Sequence, residues 1–228
     1  LDKPYIKLLK TVEDKTDKFQ VWEVDGEYIR NNIDVDFTNY GQHYRFNFIP
    51  EKEFWIDIES TPGEVEFFIL RLMVEYYTMR IGKPYSVAVD TANKIEKQER
   101  FNSKKYKQVF GDRQPENINY NIRKKYLGRV KGTDIKVYIV DGELIRDVYY
   151  IDFTQGGHDL VYKWIPPKEI WIDDDLKESE IMYTIIHEYV ERKFMEKGID
   201  YPTAHKHALK IEYKYRHKQK DTTLRRTE

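Results

Sequence analysis

The chain has 228 residues, and its 39 Lys and Arg nearly balance 40 Asp and Glu for a net charge of −1, so no overall field favours nucleic acid or an anionic membrane. Its apolar runs fall far short of the ~20 residues of a membrane span, which excludes an inserted helix. With no cysteine, disulfides, thiolate zinc sites, iron–sulfur clusters and cysteine nucleophiles are excluded together, and a metal must rest on His, Asp and Glu.

The chain begins at Leu1 without a signal-peptide pattern, which reads as a processed end and a cytoplasmic protein. Its length allows one large domain or two small ones at ~100–150 residues each. An internal repeat decides between them. Val24-Asp25-Gly26-Glu27 returns as Val140-Asp141-Gly142-Glu143, a shift of 116 residues. The same shift maps Asp36-Phe37-Thr38 onto Asp152-Phe153-Thr154, Trp55-Ile56-Asp57 onto Trp171-Ile172-Asp173, and Ile95-Glu96 onto Ile211-Glu212. About 30 identities in about 80 gap-free positions mark a tandem duplication. Two repeats are expected, 1–104 and 105–228, joined near residues 100–117.

In chain order, Gln20–Val24 reads as a strand, and Asp25-Gly26 as a type I′ turn into a second strand at Ile33–Phe37. Tyr44–Ile49 and Glu53–Asp57 complete the strands, with Trp55 as a core anchor. The period then becomes helical from about Glu64 to Arg80, stopping near Gly82. The second repeat gives strands at Lys136–Val140, Tyr149–Phe153, Leu160–Ile165 and Glu169–Asp173. A helix follows over 178–197 with Gly198 as its stop, and another starts around Pro202. The expected fold is α+β: two tandem repeats, each a small antiparallel sheet followed by two helices.

The chemistry concentrates in the second repeat. His187-Glu188-Tyr189-Val190-Glu191 is H-E-x-x-E, and on a helix His187 and Glu191 share a face. Glu188 lies about 100° around the helix, where a carboxylate reaches a metal-activated water. His205, on the next helix, is the candidate third ligand. Two histidines and one carboxylate with a fourth position open form a catalytic zinc composition, with Glu188 as general base.

This set resembles the zincin metallopeptidases, whose signature is H-E-x-x-H on a helix with a third ligand on a later helix. The resemblance implies His187 and Glu188 as first ligand and base, Glu191 in the place of the second histidine, and His205 as third ligand. It also implies zinc as cofactor, a polypeptide substrate, and strand addition of that substrate to an upstream strand, here Glu169–Asp173. Gly156-Gly157-His158, Trp164-Ile165-Pro166 and the strand before H-E-x-x-E also resemble small proteins of phage and prokaryotic type over roughly residues 150–212, a likeness that brings no activity with it.

The repeat tests the motif. At the shift of 116, His187 corresponds to Arg71, Glu188 to Leu72, Thr184 to Phe68 and His205 to Val89, while Glu191 corresponds to Glu75. An apolar face in the first repeat predicts a covered face in the second, where His187, Glu188 and Glu191 need compensation. His158, replaced by Gln42 in the first repeat, is a second candidate catalytic residue that orients substrate or an oxyanion; the other account is a loop histidine held by backbone.

The alternative to a hydrolase is a binding or structural protein in which H-E-x-x-E is a solvated helix face or a structural metal site. On that account Lys177, Glu180, Thr184, His187, Glu188 and Glu191 face water, and Glu188 pairs with Arg192. The 19 tyrosines and the basic runs Lys97 to Arg129 and Lys206 to Arg226 read as packing, solvated helix ends and linker; nucleic acid is not the expected partner.

Overall fold

The computed structural model describes residues 2–14, 16–113 and 122–224, with side chains through Lys218. The linker residues 114–117 and the end of the basic tail at Arg226 lie outside the described residues.

The first repeat runs β1 (Tyr5–Glu13), β2 (Lys18–Val24), α1 (Gly26–Asn32), β3 (Tyr40–Gln42), β4 (Glu53–Asp57), α2 (Val65–Arg80), α3 (Tyr85–Asn102) and α4 (Lys104–Phe110). The second runs β5 (Arg123–Arg129), β6 (Lys136–Val140), α5 (Gly142–Val148), β7 (Gly156–His158), β8 (Glu169–Asp173), α6 (Glu178–Glu196) and α7 (Tyr201–Leu224). The chain is α+β, with two similar halves, each a four-stranded sheet followed by helices. Among the described residues no helix is long and apolar enough to cross a membrane.

The strand orders are β1-β2-β4-β3 and β5-β6-β8-β7. The outer pairs are antiparallel, but β2 pairs with β4, and β6 with β8, in parallel. The expected all-antiparallel sheet is corrected here for one reason: Asp-Gly does not close a hairpin. After β2 the chain enters α1 at Gly26, whose N–H donates to Asp57 Oδ1 at 3.1 Å. A Cβ at Gly26 would lie 1.8 Å from Asp57 Oδ2, and one at Gly142 2.1 Å from the Asp173 carboxylate. These glycines are required by close approach of a carboxylate to a helix start, not by positive φ. The helix and the loop after it supply the long crossover a parallel pair needs.

Ile33–Phe37, Tyr44–Ile49, Tyr149–Phe153 and Leu160–Ile165 are therefore turns and loops rather than strands. Their alternating large residues came from loop burial: Phe37 packs on Phe46, Phe46 on Phe48, and Phe48 on Trp55 at centroid distances of 5.5, 5.4 and 5.9 Å. Phe153, Tyr162, Trp164 and Trp171 form the equivalent chain. The basic run to Arg129 is not linker throughout; it contains the end of α3, α4 and the edge strand β5, whose Arg123 and Lys124 pair with Glu169 and with Asp141 and Asp174.

Two compact units result, and each draws on both repeats: one comprises Leu1–Gly26, Phe37–Tyr120 and Glu143–Asp152, the other Glu27–Asp36, Asn121–Gly142 and Phe153–Glu228. In the first unit α2 lays Phe68, Ile69, Leu72 and Tyr76 on Phe19, Val21, Phe54 and Ile56 of the sheet. In the second, α6 rests Ile181, Ile185 and Tyr189 on Val137, Ile170 and Ile172.

The segment from the other repeat is locked in by buried charge. In the second unit Arg30 Nε donates to Glu180 Oε2 at 2.5 Å, Arg216 donates twice to Glu180 at 2.8 Å, and Arg216 Nε donates to Glu212. In the first, Arg146 donates to Glu64 at 2.8 and 2.5 Å, and Arg100 pairs with Glu64 at 2.8 Å and Glu96 at 2.9 Å. Burial would raise the carboxyls of Glu180 and Glu64, but their arginine partners hold both below the usual carboxylate range.

Candidate metal centre

The polar face of α6 is covered. Glu180, Thr184, Glu188 and Glu191 are buried, so the solvated-face account is corrected; Arg192 pairs with Asp159 at 2.6 Å rather than with Glu188. The burial arises because α7 folds back along α6 after the turn at Gly198, while β7 underlies the α6 face that carries Glu188 and Glu191.

This packing brings His187, Glu191 and His205 together as a group that could hold a metal ion. His187 Nε2 lies 3.1 Å from His205 Nδ1 and 3.5 Å from Glu191 Oε2, which is 2.7 Å from His205 Nδ1. Ligands on a tetrahedral zinc at ~2.0 Å stand roughly 3.3 Å apart, so these three atoms span one face of such a site. The outward nitrogens also have carboxylate partners. His187 Nδ1–H donates to Glu212 Oε2 at 2.8 Å and His205 Nε2–H to Asp36 Oδ1 at 3.1 Å, which aims the other nitrogen of each ring at the common point.

Without a metal the site carries a conflict. Burial would lower the His187 pKa, yet bonds to Glu191 and Glu212 push it up to about 10; His205, opposed by burial likewise, is pushed up to about 9 by Asp36 and Glu191. The ring nitrogens that face each other stand 3.1 Å apart, and a cation held by both lone pairs would lie between them and Glu191.

His158 is fully buried on β7 rather than in a loop. The Leu160 N–H donates to its Nδ1 at 3.2 Å, which leaves Nε2–H to donate to Glu191 Oε1 at 3.1 Å. It orients Glu191. Glu188 is nine-tenths buried and its side chain makes no hydrogen bond among the described residues; burial, then the nearby Glu191 charge, pushes its carboxyl up to about 7. With His158 and Glu191 it forms a second group of potential ligand atoms, although the proton on His158 Nε2 occupies the nitrogen that faces Glu191. Despite burial, histidine bonds hold Glu191 well below the carboxylate range.

The first unit shows what stands at the equivalent positions. Arg71, at the position of His187, places its guanidinium 3.0 Å from Glu75, 3.1 Å from Glu96 and 2.7 Å from Asp152. These are the repeat equivalents of Glu191, Glu212 and Asp36. Tyr40, the equivalent of Gly156, lays its ring 4.7 Å from Phe68 and 5.4 Å from the Arg71 guanidinium. In the second unit a Cβ at Gly156 would come within 2.9 Å of Thr184 and 3.4 Å of Glu188 Cγ.

Glu212 and Asp36 were not singled out as site residues from sequence. The signal was present: both are retained in the repeat register, as Glu96 and Asp152. The other histidines lie elsewhere, His207 stacked on Phe194 at 4.4 Å, His43 against the Ile49 carbonyl and His217 against the Tyr213 carbonyl. The strand expected to receive a peptide, β8, is interior, with β6 and β7 occupying its two edges, so strand addition there is ruled out. Comparison with protein-family models, curated proteins and solved structures returned no match.

Proposed function

We propose that the second unit carries a zinc centre held by His187, Glu191 and His205, and that the chain is a zincin-like metal-dependent hydrolase acting on polypeptide. One observation carries this reading: three equivalent carboxylates surround a permanent cation, Arg71, in one unit and two histidines at tetrahedral spacing in the other. When bound, zinc supplies a Lewis acid and draws the pKa of a water toward ~7. Glu188, desolvated and with no side-chain hydrogen bond among the described residues, has its carboxyl pushed up to about 7 and takes the proton of the attacking water, then returns it to the leaving group. His158 keeps its Nε2 proton on Glu191 and fixes that ligand's orientation. An acidic ligand in place of a second zincin-type histidine makes the metal a weaker Lewis acid and predicts slow turnover.

The second reading, a structural metal site, is favoured by burial, since the side chains of His187 and Glu191 are only 12% and 4% exposed. Glu188→Gln in the zinc-loaded full chain separates the two. The hydrolase reading expects retained zinc and a loss of about 10²–10⁴-fold in peptide cleavage. Cleavage unchanged by the substitution contradicts it, and stoichiometric zinc with no cleavage of a mixed peptide library favours the structural site.

A further inference from the structure

We infer that Asp36, which belongs to the first repeat of the sequence, is a positioning residue of the metal centre, so that the repeat lacking the H-E-x-x-E motif completes the site of the other. This rests on the metal reading above. Asp36 Oδ1 accepts from His205 Nε2 at 3.1 Å, while Nδ1 of the same ring faces Glu191 Oε2 at 2.7 Å and His187 Nε2 at 3.1 Å. A carboxylate on the far nitrogen keeps the proton there, leaves the lone pair on Nδ1, and sets the rotation of the ring. His187 receives the same support from Glu212, within its own repeat.

The support is built into the fold. Asp36 ends the segment Glu27–Asp36, which packs in the second unit, and that segment is anchored by Arg30 on the fully buried Glu180. Glu180 holds Arg216, and Arg216 holds Glu212, so both outer carboxylates of the centre trace back to one buried glutamate. The reciprocal arrangement exists in the first unit, where Asp152 ends the segment Glu143–Asp152 and pairs with Arg71 at 2.7 Å. A carboxylate at this position thus serves whichever cation its unit holds.

The test compares full-length wild type, Asp36→Ala, Asp36→Asn and Asp152→Ala, titrating each with zinc against a chromophoric chelator and recording the visible spectrum with cobalt. Asp36→Ala is expected to bind zinc about 10–100-fold more weakly and to shift the cobalt bands. Asp36→Asn falls between, because its amide oxygen still accepts the ring N–H without the charge. Asp152→Ala, which perturbs only the Arg71 cage, retains wild-type affinity. Wild-type affinity and spectrum in both Asp36 variants overturn the inference, as does an equal weakening by Asp152→Ala. If Asp36→Ala fails to fold by circular dichroism, Asp36→Asn decides alone, and a loss below threefold counts against it. A wild-type chain that takes up no zinc sinks the metal reading itself, whereas a zinc-loaded wild type with indifferent Asp36 variants sinks only this inference.

Discussion

His187 and His205 carry the strongest pH signature in the chain. Their carboxylate partners push them up to about 10 and about 9, above an ordinary ~6.5, so both rings are protonated at pH 7 in the metal-free protein. The stabilisation this gives the metal-free chain is complete below ~6.5 and is lost as pH rises through about 9 to 10. Ligation needs neutral rings, so zinc must displace both protons, and affinity should rise about a hundredfold per pH unit between pH 6 and 8. Isothermal calorimetry in two buffers of different ionisation enthalpy should register close to two protons released per zinc; none released would contradict displacement of protons from the two rings. H-E-x-x-E could be read from residue spacing because helical geometry fixes which side chains share a face, and His205 because a third ligand is expected on the following helix. Glu212 and Asp36 were legible only as carboxylates kept in the repeat register, with Asp36 169 residues away from His205.

At the scale of elements, α1 and α5 are where local sequence misleads. Asp-Gly suits a tight turn, but here glycine is selected because the carboxylate at the end of β4 or β8 sits over the helix start. Gly26→Ala forces a Cβ into Asp57 and should destabilise the chain by about 1–3 kcal/mol in urea unfolding, while a neutral effect would remove close approach as the reason for glycine. The helices α2, α3, α6 and α7 were legible because their apolar stripes keep one period against one surface. Edge strands β1 and β5 were missed because edges carry lysine and arginine to discourage further pairing, which makes them resemble linker. The covered polar face of α6 was legible only through its apolar counterpart on α2, Phe68 and Leu72.

At the scale of the whole molecule, the duplication is plain in the sequence, but the exchange of segments between repeats is not, because no local pattern records which unit a short helix joins. What holds each exchanged segment is charge buried around Glu64 and Glu180. Removing one partner from such a network strands the others, so Glu180→Ala should cost about 3–5 kcal/mol, and a loss below ~1 kcal/mol in chemical denaturation would show the network to be dispensable. Both glutamates have pKa values depressed by arginine, so their contribution is present in full above ~4.3 and is lost as pH falls toward the depressed values. An acid titration followed by circular dichroism should show stability falling below about pH 4, with Glu180→Ala flattening that dependence.

The central claim is that a buried carboxylate cage filled by Arg71 in one unit is filled in the other by a metal on His187, Glu191 and His205. Metal analysis of the full chain purified without chelator tests it most directly, with His187→Ala as the variant and His207→Ala, whose ring stacks on Phe194, as the control. The account predicts one zinc per chain in wild type and His207→Ala, and none in His187→Ala. A wild type without stoichiometric metal, or a His187→Ala chain that keeps it, would contradict the account.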